Sequence, residues 1–186
     1  MLFRSPESIL EEIQEKVMIQ QTAFERIWKD IFRELKKQKI FLVDDKKLNV
    51  TQQKFVLQYF NEEVRSYIIP LMIESIHGFP VLNDKSIYLA CRLLKTDRSI
   101  PQKFALVSVP TSRLPRFLIL PSKNEEHSII LLEDIIRFCL PNIFSFFGYN
   151  RFSAHTIKVT RDAEIDIDND VSTSLKIGRA SCRERV

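Results

Sequence analysis

Residues 154–170, AHTIKVTRDAEIDIDND, gather charge in an unusual way. Arg161 stands among Asp162, Glu164, Asp166, Asp168 and Asp170, with Ile157, Val159, Ile165 and Ile167 interleaved. That period-2 alternation predicts a strand with one charged face, which meets water or a partner rather than a second core layer. The plainer role for Arg161 is an ion pair with Asp162 or Glu164. Other chemistry-bearing residues are scattered. His77, His127 and His155 are too far apart to read as a metal site. Cys91, Cys139 and Cys182 form no CxxC pair, and Cys91 and Cys139 read as buried apolar residues in a reducing compartment. With only Gly78, Gly148 and Gly178, no glycine-rich phosphate loop of the Walker or Rossmann kind can be built.

The elements that would position these residues start with Ser5-Pro6, an N-cap followed by proline at the first helical position. Apolar residues at Ile9, Ile13, Val17, Phe24, Trp28, Ile31 and Leu35 predict one long amphipathic helix over 6–38, with Lys36, Lys37 and Lys39 at its negative end. Its single stripe needs a partner, either residues 55–71 or helices outside this sequence. A short apolar run follows at 40–43 and a charged turn at 44–47. Asn49 or Thr51 caps a second helix over 52–69, which Pro70 ends or kinks. Residues 73–80 read as a loop. Residues 86–94 and 103–109 predict an antiparallel hairpin, 116–120 a proline-bracketed strand, 128–131 another strand and 132–138 a helix interrupted by Pro141. The aromatic stretch 142–150 reads as a loop or short helix plugging the core. The fold class expected is α+β: a long N-terminal amphipathic helix, then a mixed domain with an antiparallel sheet and packed helices.

Composition is that of a globular protein, with 45% hydrophobic and 28% charged residues. No apolar run is long enough to span a membrane, and the N-terminus lacks a signal-peptide layout. The net charge of +4 includes Arg179, Arg183, Arg185 and Glu184 near the end; without residues 177–186, 25 basic face 23 acidic residues. That is not the footprint of a nucleic-acid binder.

The segment VTRDAEIDIDNDVSTS resembles the head-domain signature of bacterial polyphosphate kinase, the long-chain-synthesising phosphohistidine family. QKIFLVDDKKL, VRSYIIPLMIES, LPRFLILP, IILLEDIIRF and FGYN resemble the family pattern in the same order, so the similarity runs over about residues 5–176. The resemblance implies two parts, 1–48 as the end of an N-terminal helical domain and 49–175 as an incomplete head (middle) domain; 176–186 reads as foreign sequence. IGRASCRERV matches, letter for letter, a translated short-read sequencing adapter, so the gene is expected to be cut at about Leu175. Met1 is expected to be an internal methionine.

The family transfers the terminal phosphate of ATP reversibly to inorganic polyphosphate through a phosphohistidine. Its catalytic histidines lie in H-x-K contexts in two C-terminal domains; His77, His127 and His155 lack that context and are given no catalytic role. ATP and Mg2+ serve the intact family, with none expected on this piece alone. Polyphosphate carries about one charge per phosphate and attracts cations as nucleic acid does. Arg113, Arg116, Arg137, Arg151, Lys158 and Arg161 are candidates for a positive surface, with Arg113, Arg116 and Arg161 chosen as polyanion-facing residues. The alternative is solvated surface charge. Expected partners are polyphosphate, ATP, the remaining domains and a second copy of the intact enzyme, with no nucleic acid and no transmembrane segment. The expected location is cytoplasmic, with membrane association open to the intact enzyme. The competing functional reading is a free-standing polyanion-binding or dimerisation module with a head-domain-like fold.

Overall fold

A computed structural model describes residues 5–73, 80, 82–97, 99–122 and 125–160. The chain divides into two compact units, Met1–Leu42 with Ser122–Ile129, and Val43–Pro121 with Ile130–Val186. In the first unit, helix α1 spans Pro6–Lys37. Ser5 is its N-cap, accepting a hydrogen bond from the Ser8 N–H at 3.2 Å. Basic Lys36 and Lys37 occupy the last turn. None of its residues is buried, and the expected stripe, from Ile9 to Ile31, lies exposed. Within the helix, Trp28 meets Phe32 edge-on with ring centroids 4.6 Å apart. Lys39 ends α1 in the left-handed region (φ 58°), a conformation glycine or asparagine takes more readily. Its carbonyl accepts from the His127 N–H at 2.8 Å. This seats strand β1 (Ile40–Leu42) parallel to β6 (His127–Leu131), with Ile40, Phe41 and Leu42 opposite His127, Ser128 and Ile129.

The second unit is built on an antiparallel sheet ordered β2-β4-β3-β7. Its strands are β2 (Pro70–Met72), β3 (Ser86–Leu94), β4 (Lys103–Ser108) and β7 (Arg151–Val159). Register puts Leu89, Cys91 and Leu93 opposite Val107, Ala105 and Lys103 on one side, and opposite Thr156, Ala154 and Phe152 on the other. One face therefore presents Leu89, Cys91, Leu93, Ala105, Val107, Phe152 and Ala154 to the main core. Completing that core are α2 (Val50–Tyr59), β5 (Phe117–Leu120), α3 (Leu132–Phe138) and α4 (Leu140–Ile143), through Val56, Leu120, Ile135, Ile136, Leu140 and others. The opposite face carries a smaller cluster of Leu82, Tyr88, Leu106 and Val159. The sheet is thus apolar on both faces at one end.

Two expectations change in detail. The second helix is not uniform to residue 69: after α2 comes a π-turn over Phe60–Val64 and a 3-10 turn over Arg65–Tyr67. Val56, Phe60 and Val64 are spaced by four, which drifts about 40° per step around an α-helix. The wider turn returns Val64 to the core side, and all three side chains are essentially unexposed. Residues 70–72, where Pro70 is expected to end or kink the helix, form strand, while most of the 73–80 loop reading (74–79) lies outside the described residues. Strand β7 starts at Arg151, three residues before the expected position. A 3-10 turn over Ser145–Phe147 closes on Gly148 (φ +73°), a backbone conformation that suits glycine, and the Asn150 N–H reaches the Leu94 carbonyl at 3.1 Å. The strand reading for 161–168 lies outside the described residues. The hairpin of β3 and β4 and helix α3 stand where the pattern put them.

Candidate functional site

Helix α3 carries Glu133 and Asp134 side by side in its first turn, and both are buried. Buried carboxylates cost several kcal/mol unless paired and hydrogen-bonded, roughly on the scale of the desolvation of one ion. Each has its own arginine. Arg116, just before β5, donates from Nη2 to Glu133 Oε1 at 2.5 Å and from Nε at 3.2 Å. The Arg116 carbonyl accepts from the Leu132 N–H at 2.8 Å, fixing the segment against the start of α3. That hydrogen bond to Glu133 raises the Arg116 pKa above its ordinary value.

Arg137 sits one turn further along α3, with its side chain only 20% exposed. Its Nη1 donates to Asp134 Oδ1 and to Asp45 Oδ1, the latter at 3.5 Å. Its Nε donates to the Ala154 carbonyl at 3.2 Å and its Nη2 to Thr156 Oγ1 at 2.7 Å. One guanidinium thus joins α3, the 43–49 connection and β7, using the fork geometry that lysine lacks. Burial raises the Asp134 pKa, Arg137 pulls it back, and the charges of Asp45 and Glu133 push it up again. A groove of about 340 Å³ beside this cluster is lined by Asp45, Lys46, Arg137, Phe138, Pro141 and His155, among others. Arg137 faces two carboxylates, so the cluster itself offers a polyanion no surplus of positive charge.

Of the residues read as polyanion-facing, Arg113 lies exposed in the turn after Pro110, its N–H donating to the Pro110 carbonyl at 3.0 Å. Arg116 is paired as described, with its side chain 44% exposed. Arg161 lies outside the described residues. Lys158 and Arg151 are exposed on β7, at opposite ends of the strand. His127 and His155 are exposed, among the described residues nothing hydrogen-bonds to the His155 ring to orient it as a nucleophile or base, and His77 lies outside the described residues. Among the described residues no three His, Cys, Asp or Glu side chains converge as metal ligands. Cys91 and Cys139 are free and buried, and burial pushes both thiols up to about 12.

Sequence reasoning treated Arg137 as a surface charge. The signal that could have corrected this was local: an Asp134–Arg137 pair at i,i+3 in a seven-residue helix otherwise rich in Ile and Leu. Asp45 and Thr156, distant in sequence, carried no such signal.

Comparison with known proteins agrees with this architecture. The family model described as "Polyphosphate kinase middle domain" matches residues 51–185. The polyphosphate kinase of Vibrio parahaemolyticus is 36% identical over 171 residues, covering 90% of this chain and 24% of that protein. That of Escherichia coli is 31% identical over 183 residues, covering 96% and 26%. The crystal structure of polyphosphate kinase from Porphyromonas gingivalis superposes with a TM-score of 0.73 at 30% identity, over 87% of this chain and 25% of that one. The chain spans about a quarter of the length of the curated relatives it matches. With the α+β architecture, the matched segment and the relatives in agreement, the chain belongs to the polyphosphate kinase family, in the part that the middle-domain model describes.

Proposed function

We propose that this chain is a scaffold portion of a polyphosphate kinase, an enzyme that transfers the terminal phosphate of ATP reversibly to inorganic polyphosphate through a phosphohistidine. The observation that carries this reading is a middle-domain match over residues 51–185 in a chain that spans about a quarter of its relatives. ATP and Mg2+ belong to the intact enzyme, and no step of phosphoryl transfer is assigned to the residues here. Arg137 and Arg116 hold the scaffold's geometry. Arg113, the outward part of Arg116 and Arg161 form the polyanion-facing surface.

The proposed organisation is 1–48 as the end of an N-terminal helical domain and 49–175 as head domain; 176–186 is read as foreign to both on its letter-for-letter adapter match, although the family model's match runs on to residue 185. The uncovered apolar stripe of α1 supports the first assignment, because an amphipathic helix holds its apolar side out of water when other helices pack on it. The intact enzyme is taken to be cytoplasmic and a homo-oligomer. Among the described residues, no helix is long and apolar enough to cross a membrane.

A chimaera tests the reading. Residues 5–175 replace the matching segment of the Escherichia coli enzyme, and ATP-dependent polyphosphate synthesis is measured. Synthesis well above that of the enzyme with the segment deleted is expected. A soluble, folded chimaera with no synthesis contradicts the assignment.

A further inference from the structure

The end of the sheet away from Arg137 holds a second cleft, of about 580 Å³, which neither the core nor the arginine pairs of α3 explain. Register puts Arg92 opposite Ser153 and Leu94 opposite Arg151 on β3 and β7. Arg92 and Arg151 are therefore diagonal neighbours on one face, within reach of each other's side chains. Both are exposed, and both line the cleft with Lys95 and Gln102. Arg92 Nε and Nη2 donate to Gln102 Oε1 at 3.1 and 2.8 Å, which orients the guanidinium without neutralising it. Arg151 has no acidic partner among the described residues. The carboxylate that answers this group is Asp97, 3.6 Å from Lys95, and it is already held by the Ser99 N–H at 2.9 Å. Three cations thus face one acid across a concave surface, an arrangement that repels itself when empty.

We propose that this cleft binds a chain of condensed inorganic phosphate, with the Arg92 and Arg151 forks on successive phosphates and Lys95 as a point charge beside them. Guanidinium forks match phosphate oxygens in pairs, and like charges held this close are relieved by an anion between them. Among the described residues, the cleft's apolar lining is Leu94, Ile100 and Pro101, with no aromatic ring on which a base could stack. That favours a bare phosphate chain over single-stranded nucleic acid, which relies on such stacking. The choice of polyphosphate rests on the function proposed above; the cation cluster itself does not.

The 186-residue chain is titrated calorimetrically with tripolyphosphate, long-chain polyphosphate and a single-stranded DNA oligonucleotide of matched charge. Two double variants are compared, Arg92→Gln with Arg151→Gln, and Lys29→Gln with Lys54→Gln as a charge-matched control on exposed helical positions. The arginine variant is expected to weaken polyphosphate binding about tenfold or more and to flatten its salt dependence by about one to two contacts' worth. The lysine control is expected to change binding less than about twofold, with DNA binding weaker than polyphosphate. Amide resonances of Leu94, Lys95 and Arg151 are expected to shift with tripolyphosphate in the unaltered chain, a readout independent of how the variants fold. Equal weakening by both variants, DNA binding as tight as polyphosphate, or no shift at these amides overturns the proposal. Absent binding alongside an active chimaera sinks the cleft and leaves the functional reading standing. An inactive chimaera with binding intact does the reverse.

Discussion

Arg137 shows how much one side chain organises here. It answers Asp134 and Asp45, and it also supplies donors to the Ala154 carbonyl and Thr156 on β7. Arg137→Met keeps the apolar stem but strands Asp134 in a buried position without its cation. Breaking such a pair from one side costs about 3 kcal/mol or more. Urea unfolding is expected to show that loss, and adding Asp134→Leu is expected to recover part of it, because the double change removes the stranded charge as well. A double variant no better than Arg137→Met would mean that the hydrogen bonds to β7 dominate. The thiols give a pH signature. Cys91 and Cys139 rise from 9.0 to about 12 through burial, so the folded state holds their protons more tightly than the unfolded chain does. Their contribution to stability is full below about pH 9 and is lost as pH rises towards 12. Stability is expected to fall across that window, less steeply in Cys139→Ala, and iodoacetamide is expected to label neither thiol at pH 8 until the protein unfolds. Rapid labelling of the native protein would contradict their burial.

At the level of elements, local signals were strong wherever structure is local. Asn49 caps α2 with a full capping box: Asn49 Oδ1 accepts from the Gln52 N–H at 3.0 Å, and Gln52 Oε1 from the Asn49 N–H at 3.2 Å. The sequence left Asn49 and Thr51 both open as caps, and the reciprocal reach of Gln52 decides between them. Asn49→Ala is expected to cost about 1 kcal/mol in thermal unfolding, whereas Thr51→Ala is expected to cost much less. Equal losses would put the cap elsewhere. The hairpin of β3 and β4 and helix α3 were legible because alternation and helical spacing sit within a few residues. The π-turn was not, because four-residue spacing of Val56, Phe60 and Val64 also fits an ordinary helix; only the need to bury all three selects the wider turn. The early start of β7 was hidden by the same logic. Arg151 and Ser153 face away from the main core, so the inward positions Phe152 and Ala154 gave too short a run to read as strand.

On the scale of the whole molecule, the fold matches the α+β class read from the sequence, and the structure shows which arginines answer a buried acid and which do not. Arg116 and Arg137 neutralise buried acids on α3, while Arg92, Lys95 and Arg151 form a cation-rich cleft that sequence order had scattered over 60 residues of numbering. Electrostatic roles of this kind depend on which acids lie nearby in space, and a linear sequence does not show that. In α1 the reverse holds: the stripe was legible in full, and the structure leaves it uncovered. The account's central claim is that the described residues form a scaffold that moves no phosphate itself. The direct measurement is transfer of labelled terminal phosphate from ATP to polyphosphate by the purified 186-residue chain with Mg2+ present, beside the active chimaera as a positive control. The account predicts label incorporation at the level of a no-protein blank for the chain alone. Incorporation that grows with time and with the amount of the chain would contradict it.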